Sequence, residues 1–108
     1  MTSSTIERHV EATSVRVSET ELMVDLTDGR TVSVPLAWYP RLAHATPEER
    51  GRWRLIGRGE GVHWPDVDED ISIAGLLAGS RSGESQRSLQ RWLDARNAKG
   101  AQSPAPPP

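Results

Sequence analysis

The sequence predicts a small α+β fold: an antiparallel meander plus a further hairpin, short helices on one face of the sheet, and a C-terminal tail helix. Three observations predict it. Apolar and polar residues alternate through Val15–Val34, and the alternation turns over at Asp28-Gly29; a period of two marks strands with one dry and one wet face. Two helical turns then start on prolines, Pro40 and Pro47, where a fixed φ and a missing N–H cost nothing. From Ser80 the composition changes to linker residues and then to a basic stretch of helical period.

The elements follow in order. Residues 1–12 are polar and read as a flexible N-terminus. Val15 and Val17 point one way; after Glu19–Glu21, Leu22, Val24 and Leu26 alternate with Met23, Asp25 and Thr27; Val32 and Val34 alternate with Thr31 and Ser33. This is a three-stranded meander with Leu22, Val24, Leu26, Val32 and Val34 on its buried side. Asp28-Gly29 predicts a tight primed turn between its last two strands, because Gly accepts positive φ. Pro35 ends the meander, having no N–H for a ladder. Pro40 opens a short helix through Ala43. Thr46 and Glu49 form a capping box around Pro47, each side chain satisfying a backbone donor of the other, and Gly51 stops that helix. Trp53 and Leu55, then Val62 and Trp64, read as a hairpin around the glycine-rich Gly57–Gly61. Ser72 caps a helix with Ile73, Leu76 and Leu77 in its apolar stripe and Gly79 as its stop. Asp68, Glu69 and Asp70 sit before that helix, where its dipole favours negative charge. Residues 13–79 thus form the α+β domain, and residues 80–108 a basic linker, a helix over Ser85–Ala98, and a Pro-rich end.

Composition bounds the function. The chain has 108 residues, 35% of them hydrophobic, with no Phe and four Trp, so each indole anchors a large share of a small core. There is no Cys, which removes disulfides, thiolate zinc sites and thiol nucleophiles and favours a reducing cytoplasm. No apolar run approaches the roughly 20 residues of a membrane span, and the first residues lack the apolar region of a signal peptide. Residues 1–79 carry eight Lys and Arg against thirteen Asp and Glu, a net of −5, whereas residues 80–108 carry five against two, a net of +3. The basic tail points either to an acidic partner or to charge balance within its own domain.

No motif builds an active site. GRGEG at Gly57–Gly61 lacks the Lys-Ser/Thr of a phosphate loop and reads as a turn. DVDED at Asp66–Asp70 alternates carboxylates as a calcium loop does, but its sixth position is Ile71 and its twelfth Leu77, which excludes an EF-hand. His9, His44 and His63 lie in three segments at no metal-ligand spacing; His63, Trp64 and Asp66 are the one local grouping that a small ligand or metal could use. No Ser stands in a G-x-S-x-G elbow. The expectation is no catalytic residue, no metal and no cofactor. Trp38-Tyr39-Pro40-Arg41 stands out instead, because Trp, Tyr and Arg dominate interface hot spots; the alternative places Trp38 in the core and Tyr39 at its rim. Trp92, with Arg91 and Arg96, gives the tail helix a second such patch, which either anchors a partner or folds back on the sheet.

Three stretches, DGRTVSVPLAWYPRLAHATPEER, GVHWPDVDED and ISIAGLLAG, together resemble the bacterial and phage family DUF2442, a domain of unknown function, over roughly Val15 to Gly79. The resemblance implies a small α+β domain without assigned catalytic residues. It also implies a gene context like that of toxin–antitoxin pairs, with this family in the antitoxin place. Some members carry an added helix-turn-helix, which a single helix after Gly79 cannot supply. The expectation is a cytoplasmic, non-enzymatic interaction module that neutralises a small toxin-like partner protein, through Trp38, Tyr39, Arg41, Trp92, Arg91 and Arg96. The alternative is a nucleic-acid-associated regulator using the basic tail. Neither reading involves a membrane or fixes an oligomeric state.

Overall fold

A computed structural model describes residues 10–102, with the side chains of the last helix described as far as Ala98. Of the expected flexible N-terminus (1–12), residues 1–9, including His9, lie outside the described residues, as does the Pro-rich end (103–108); Val10 and Ala12 are buried in the core, so residues 10–12 belong to the folded body.

The alternation from Val15 to Val34 becomes a three-stranded antiparallel sheet of β1 (Ala12–Val17), β2 (Glu21–Leu26) and β3 (Thr31–Pro35), in that spatial order. Leu22 pairs with Val34, and Val24 with both Val15 and Val32. The register therefore places one apolar row on one face, and Leu22, Val24, Leu26 and Val34 are buried there, with Val32 half-buried. The wet face carries a polar row instead, in which Asp25 accepts hydrogen bonds from Arg16 and Thr31, both at 2.7 Å. The turn at Asp28-Gly29 corrects the expectation. Gly29 is left-handed (φ 95°) but Asp28 is not. The Gly29 N–H donates to the Leu26 carbonyl at 3.1 Å, and the Leu26 N–H to the Arg30 carbonyl at 2.8 Å. A three-residue loop with a single left-handed glycine closes the hairpin in place of a primed turn.

Leu36–Trp38 form one 3-10 turn, followed by α1 (Pro40–Ala43) and α2 (Pro47–Gly51). The capping box at Thr46 and Glu49 is formed in both directions. A second antiparallel sheet contains β4 (Arg54–Ile56), β5 (Gly61–Trp64) and β6 (Glu69–Ser72). The expected hairpin thus gains a third strand, and this strand overturns the reading of Glu69 and Asp70 as residues of a helix entry. The physical reason is the parity of Ile71: paired with Val62, it continues the inward row of half-buried Leu55 and buried Val62, while Asp70 faces out beside His63. Ser72 then caps α3 (Ile73–Leu77) by accepting the Gly75 N–H at 2.9 Å.

The two sheets meet at the glycine-rich turn. Gly59 adopts φ 113°, and a Cβ there would lie 2.4 Å from the Ala12 carbonyl oxygen, so only glycine allows the approach. Its own carbonyl accepts the Ala12 N–H at 2.7 Å, tying the start of the first sheet to the second. The inner faces of both sheets, with Leu36, Leu42, Ile73 and Leu76, enclose one core around Trp64, whose indole N–H donates to the Arg50 carbonyl at 3.0 Å. Residues 80–85 form an irregular strap leading to α4 (Gln86–Gln102). No helix among the described residues is long and apolar enough to cross a membrane.

Candidate interaction site

The Trp38–Arg41 segment bends twice, through the 3-10 turn and then α1, and so presents its side chains in different directions. Tyr39 goes inward and is 4% exposed, while Trp38 stays half-buried. The core position thus belongs to Tyr39 rather than to Trp38. The turn ends at Tyr39, which caps α1, and its hydroxyl donates to the Ser80 carbonyl at 3.0 Å. Burial raises the Tyr39 pKa, and the nearby Glu69 carboxylate adds to the rise. A buried phenol needs such a hydrogen-bond partner.

Arg41 is the centre of the site. Its Nε and Nη2 donate to the two carboxylate oxygens of Glu84 at 2.8 and 2.7 Å, and its Nη1 donates to the Val67 carbonyl at 3.2 Å. Forked pairs of this kind fix direction as well as charge. The hydrogen bonds from Arg41 hold the Glu84 carboxyl below the usual range, helped by the Ser88 hydroxyl, which donates to it at 2.8 Å. The guanidinium carbon of Arg41 also stands 5.1 Å from the centre of the Trp92 ring.

The tail helix therefore lies on the body. Trp92 sits between two guanidinium groups, with Arg96 4.8 Å from its ring centre. Arg96 in turn donates to both carboxylate oxygens of Glu49 at 2.9 and 3.3 Å. That hydrogen bonding is the leading cause of the lowered Glu49 pKa. Glu49 thus serves two partners: it closes the capping box of α2 and receives the tail. Leu89 and Leu93 are half-buried. Of the two alternatives for the tail, the structure has the helix folded back. Arg91 lies on its exposed side with Arg87.

Of the six expected interaction residues, the structure brings Arg41, Trp92 and Arg96 together and places Trp38 and Tyr39 against the adjoining strap; Arg91 stands apart. Sequence reasoning missed Glu49, Glu84 and Arg81. Arg81 stacks on Trp38, with 4.8 Å between its guanidinium carbon and the ring centre. The opposite charges of body and tail signalled the Glu49–Arg96 pair without naming it, whereas Arg41–Glu84 runs against that asymmetry.

The grouping of His63, Trp64 and Asp66 is not brought together. Alternation along β5 sends Trp64 into the core and His63 to the outer face, where its Nδ1 pairs with the Asp70 carboxylate across the strands. Asp66 instead accepts from Arg52 at 2.7 Å. No cluster of three or more metal-ligating side chains occurs among the described residues. One carboxylate is strongly perturbed: Glu69, beneath the strap, is pushed up to about 7, first by burial and then by the charges of Glu84, Asp70 and Asp68, against the pull of Arg41.

The model of the family described as "Protein of unknown function (DUF2442)" matches residues 12–82. The chain belongs to the DUF2442 family. The match takes in both sheets and α3 and ends within the strap, before Glu84 and α4. Two solved structures are similar. One is the crystal structure of a protein of unknown function from Rhodospirillum rubrum, 28% identical, covering 72% of this chain and 96% of its own, with a TM-score of 0.62. The other is the solution structure of an uncharacterised protein from Chromobacterium violaceum, 25% identical, covering 82% of each chain, with a TM-score of 0.60. No curated protein matches the sequence at a significant level. The family model thus covers the body, and Arg41 and Glu49 are where that body meets the helix that follows.

Proposed function

We propose that this DUF2442 protein is a cytoplasmic, non-enzymatic interaction module, an antitoxin-like neutraliser of a small partner protein. The observation that supports it is the edge from Trp38 to Arg41, which holds a polar segment and an amphipathic helix at once, through side chains typical of binding hot spots. A surface able to seat chain segments in this way needs no catalytic group. The separation of His63, Trp64 and Asp66 also weighs against a shared ligand site. The nucleic-acid reading has less support, since Arg96 is paired with Glu49 and Arg81 stacks on Trp38, leaving Arg87 and Arg91 facing outward among the described side chains of the tail.

The test is co-expression with the neighbouring gene. That gene alone should arrest growth, this chain should restore it, and Arg41→Ala in this chain should lose the rescue while the protein stays soluble. A neighbour that is harmless alone, or a rescue indifferent to Arg41, counts against the proposal. So does a reproducible hydrolase or nuclease activity of the pure protein that His63→Ala abolishes.

A further inference from the structure

We propose that the Trp38–Arg41 edge is a receptor for an extended peptide carrying an arginine and, three residues later, a carboxylate, and that the strap occupies it as an internal copy of that ligand. The inference rests on the interaction-module reading and names the chemistry of what the module takes.

The strap Ser80-Arg81-Ser82-Gly83-Glu84 meets the edge at four points in sequence. The Ser80 carbonyl accepts the Tyr39 hydroxyl at 3.0 Å. The Arg81 guanidinium lies over the Trp38 ring. The Ser82 N–H donates to the Trp38 carbonyl at 3.0 Å. The Glu84 carboxylate takes the fork of Arg41. Two contacts read the backbone and two read side chains, which is how a receptor reads an extended peptide. From Arg81 to Ser85 burial also alternates: Ser82 and Glu84 are half-buried, whereas Arg81, Gly83 and Ser85 are exposed, as is Ser80 before them.

The strap does not complete the core. It brings no large apolar side chain, and it spans a cavity of about 210 Å³ above β6, lined by Tyr39, Glu69, Ser72, Ser80, Arg81 and Ser82 among others. Its hold is directional: a bidentate ion pair, a cation–π contact and two hydrogen bonds. Another chain bearing the same groups can make all four. The strap's advantage is attachment, since a tethered segment competes at an effective concentration on the order of millimolar. Its release has a ready pivot in Gly79, which leaves α3 at φ 80°.

The experiment uses the full chain with Arg81→Ala and Glu84→Gln, which removes the strap's cation–π contact and breaks its forked ion pair, leaving at most one neutral acceptor for Arg41. The probe is the blocked peptide of sequence SRSGES, and the control is SESGRS, with the two charges exchanged. The readout is the indole N–H signal of Trp38 in a nitrogen–proton correlation spectrum, assigned with Trp38→Phe. SRSGES should shift that signal saturably, at least about tenfold more tightly than in the wild-type chain, whose own strap competes. SESGRS should not, and adding Arg41→Lys should weaken SRSGES by about tenfold, since Lys cannot fork a carboxylate. A folded variant that ignores SRSGES, responds equally to both peptides, or binds no better than wild type overturns the proposal. If the double variant does not fold, Glu84→Gln alone carries the same comparison. Growth rescue without peptide binding would sink the receptor and leave the interaction module standing on another surface; peptide binding without rescue would keep the receptor and sink the antitoxin-like reading.

Discussion

The meander and the tail helix are both held to one core, but by opposite means. In the sheet, Leu22 and Val24 are 0% and 1% exposed and touch other aliphatic side chains in a row set by register. In the tail, α4 rests on a half-buried indole between two guanidinium groups and on the Arg96–Glu49 ion pair, and the strap before it on the Arg41–Glu84 pair. The first attachment excludes water and has no preferred partner beyond shape. The second depends on particular groups at particular places, and its strength is that of partly exposed charges. The sheet is therefore built to persist, whereas the tail is attached by contacts that another molecule could replace.

The strongest way to break this comparison is to charge the sheet. Val24→Asp puts an unpaired carboxylate at a site without water and should cost about 4 kcal/mol or more. Denaturant titration should find the chain largely unfolded, with α4 lost as well, because the surface under it is gone. A cooperative transition within about 1 kcal/mol of wild type would mean that the sheet is not the foundation described.

Trp92→Ala tests the other half. It removes the ring shared by Arg41 and Arg96, and it should loosen the tail by about 1–2 kcal/mol. An isolated helix of this length is barely stable in water, so helical circular dichroism should fall while the indole signals of Trp53 and Trp64 stay in place. If those signals collapse too, body and tail form a single cooperative unit.

What was legible in the sequence follows the same division. The alternation of Leu22, Val24 and Leu26, the Thr46–Glu49 capping box and the Ser72 cap are local patterns with one physical meaning each, and all three stand in the structure. The strand at Glu69–Ser72 was obscured because its only apolar residue is Ile71; a four-residue strand with one inward side chain has no visible period. The choice between Trp38 and Tyr39 for the core was set by the turn at Leu36–Trp38, not by hydrophobicity. The site was half legible. Trp38, Arg41, Trp92 and Arg96 are residue types that mark interfaces, but the pairing of Arg41 with Glu84 and of Arg96 with Glu49 spans 43 and 47 residues. No local pattern carries such a match.

The acid–base behaviour should test the seam where strap and tail meet the body. The folded-state pKa of Glu69 is raised to about 7 from 4.5. Folding therefore takes up a proton between those values, and stability falls as pH rises through that window and levels off above it. Glu49 and Glu84, with lowered pKa values, act the other way: their contribution is present above about 4.5 and is lost as pH falls through their folded values. Stability should peak near pH 5 and decline by about 1–2 kcal/mol toward pH 8, allowing for the partial exposure of Glu69 to water. Thermal melts across this range should show the decline in wild type and its loss in Glu69→Gln. A flat profile in wild type would remove Glu69 from the account.

The smallest effect is the most direct measure of how the tail is held. Arg96 and Glu49 form a forked pair whose side chains remain 27% and 17% exposed. Pairs of this kind couple by about 0.3–1 kcal/mol. The single variants mislead here, because Glu49→Ala also opens the capping box of α2, and loss of a cap costs about 1 kcal/mol by itself. A double-mutant cycle of Arg96→Ala and Glu49→Ala removes that contribution, since the cap is lost equally in both backgrounds. The coupling should be of the stated size in low salt and should shrink toward zero near 1 M, where the screening length falls to about 3 Å. Arg16 and Asp25, on the wet face of the meander, serve as the reference cycle: salt should weaken their coupling too, yet leave the sheet's stability unchanged. No coupling between Arg96 and Glu49 even in low salt would mean that α4 is held by packing, as the sheet is, and the contrast between the two attachments would fail.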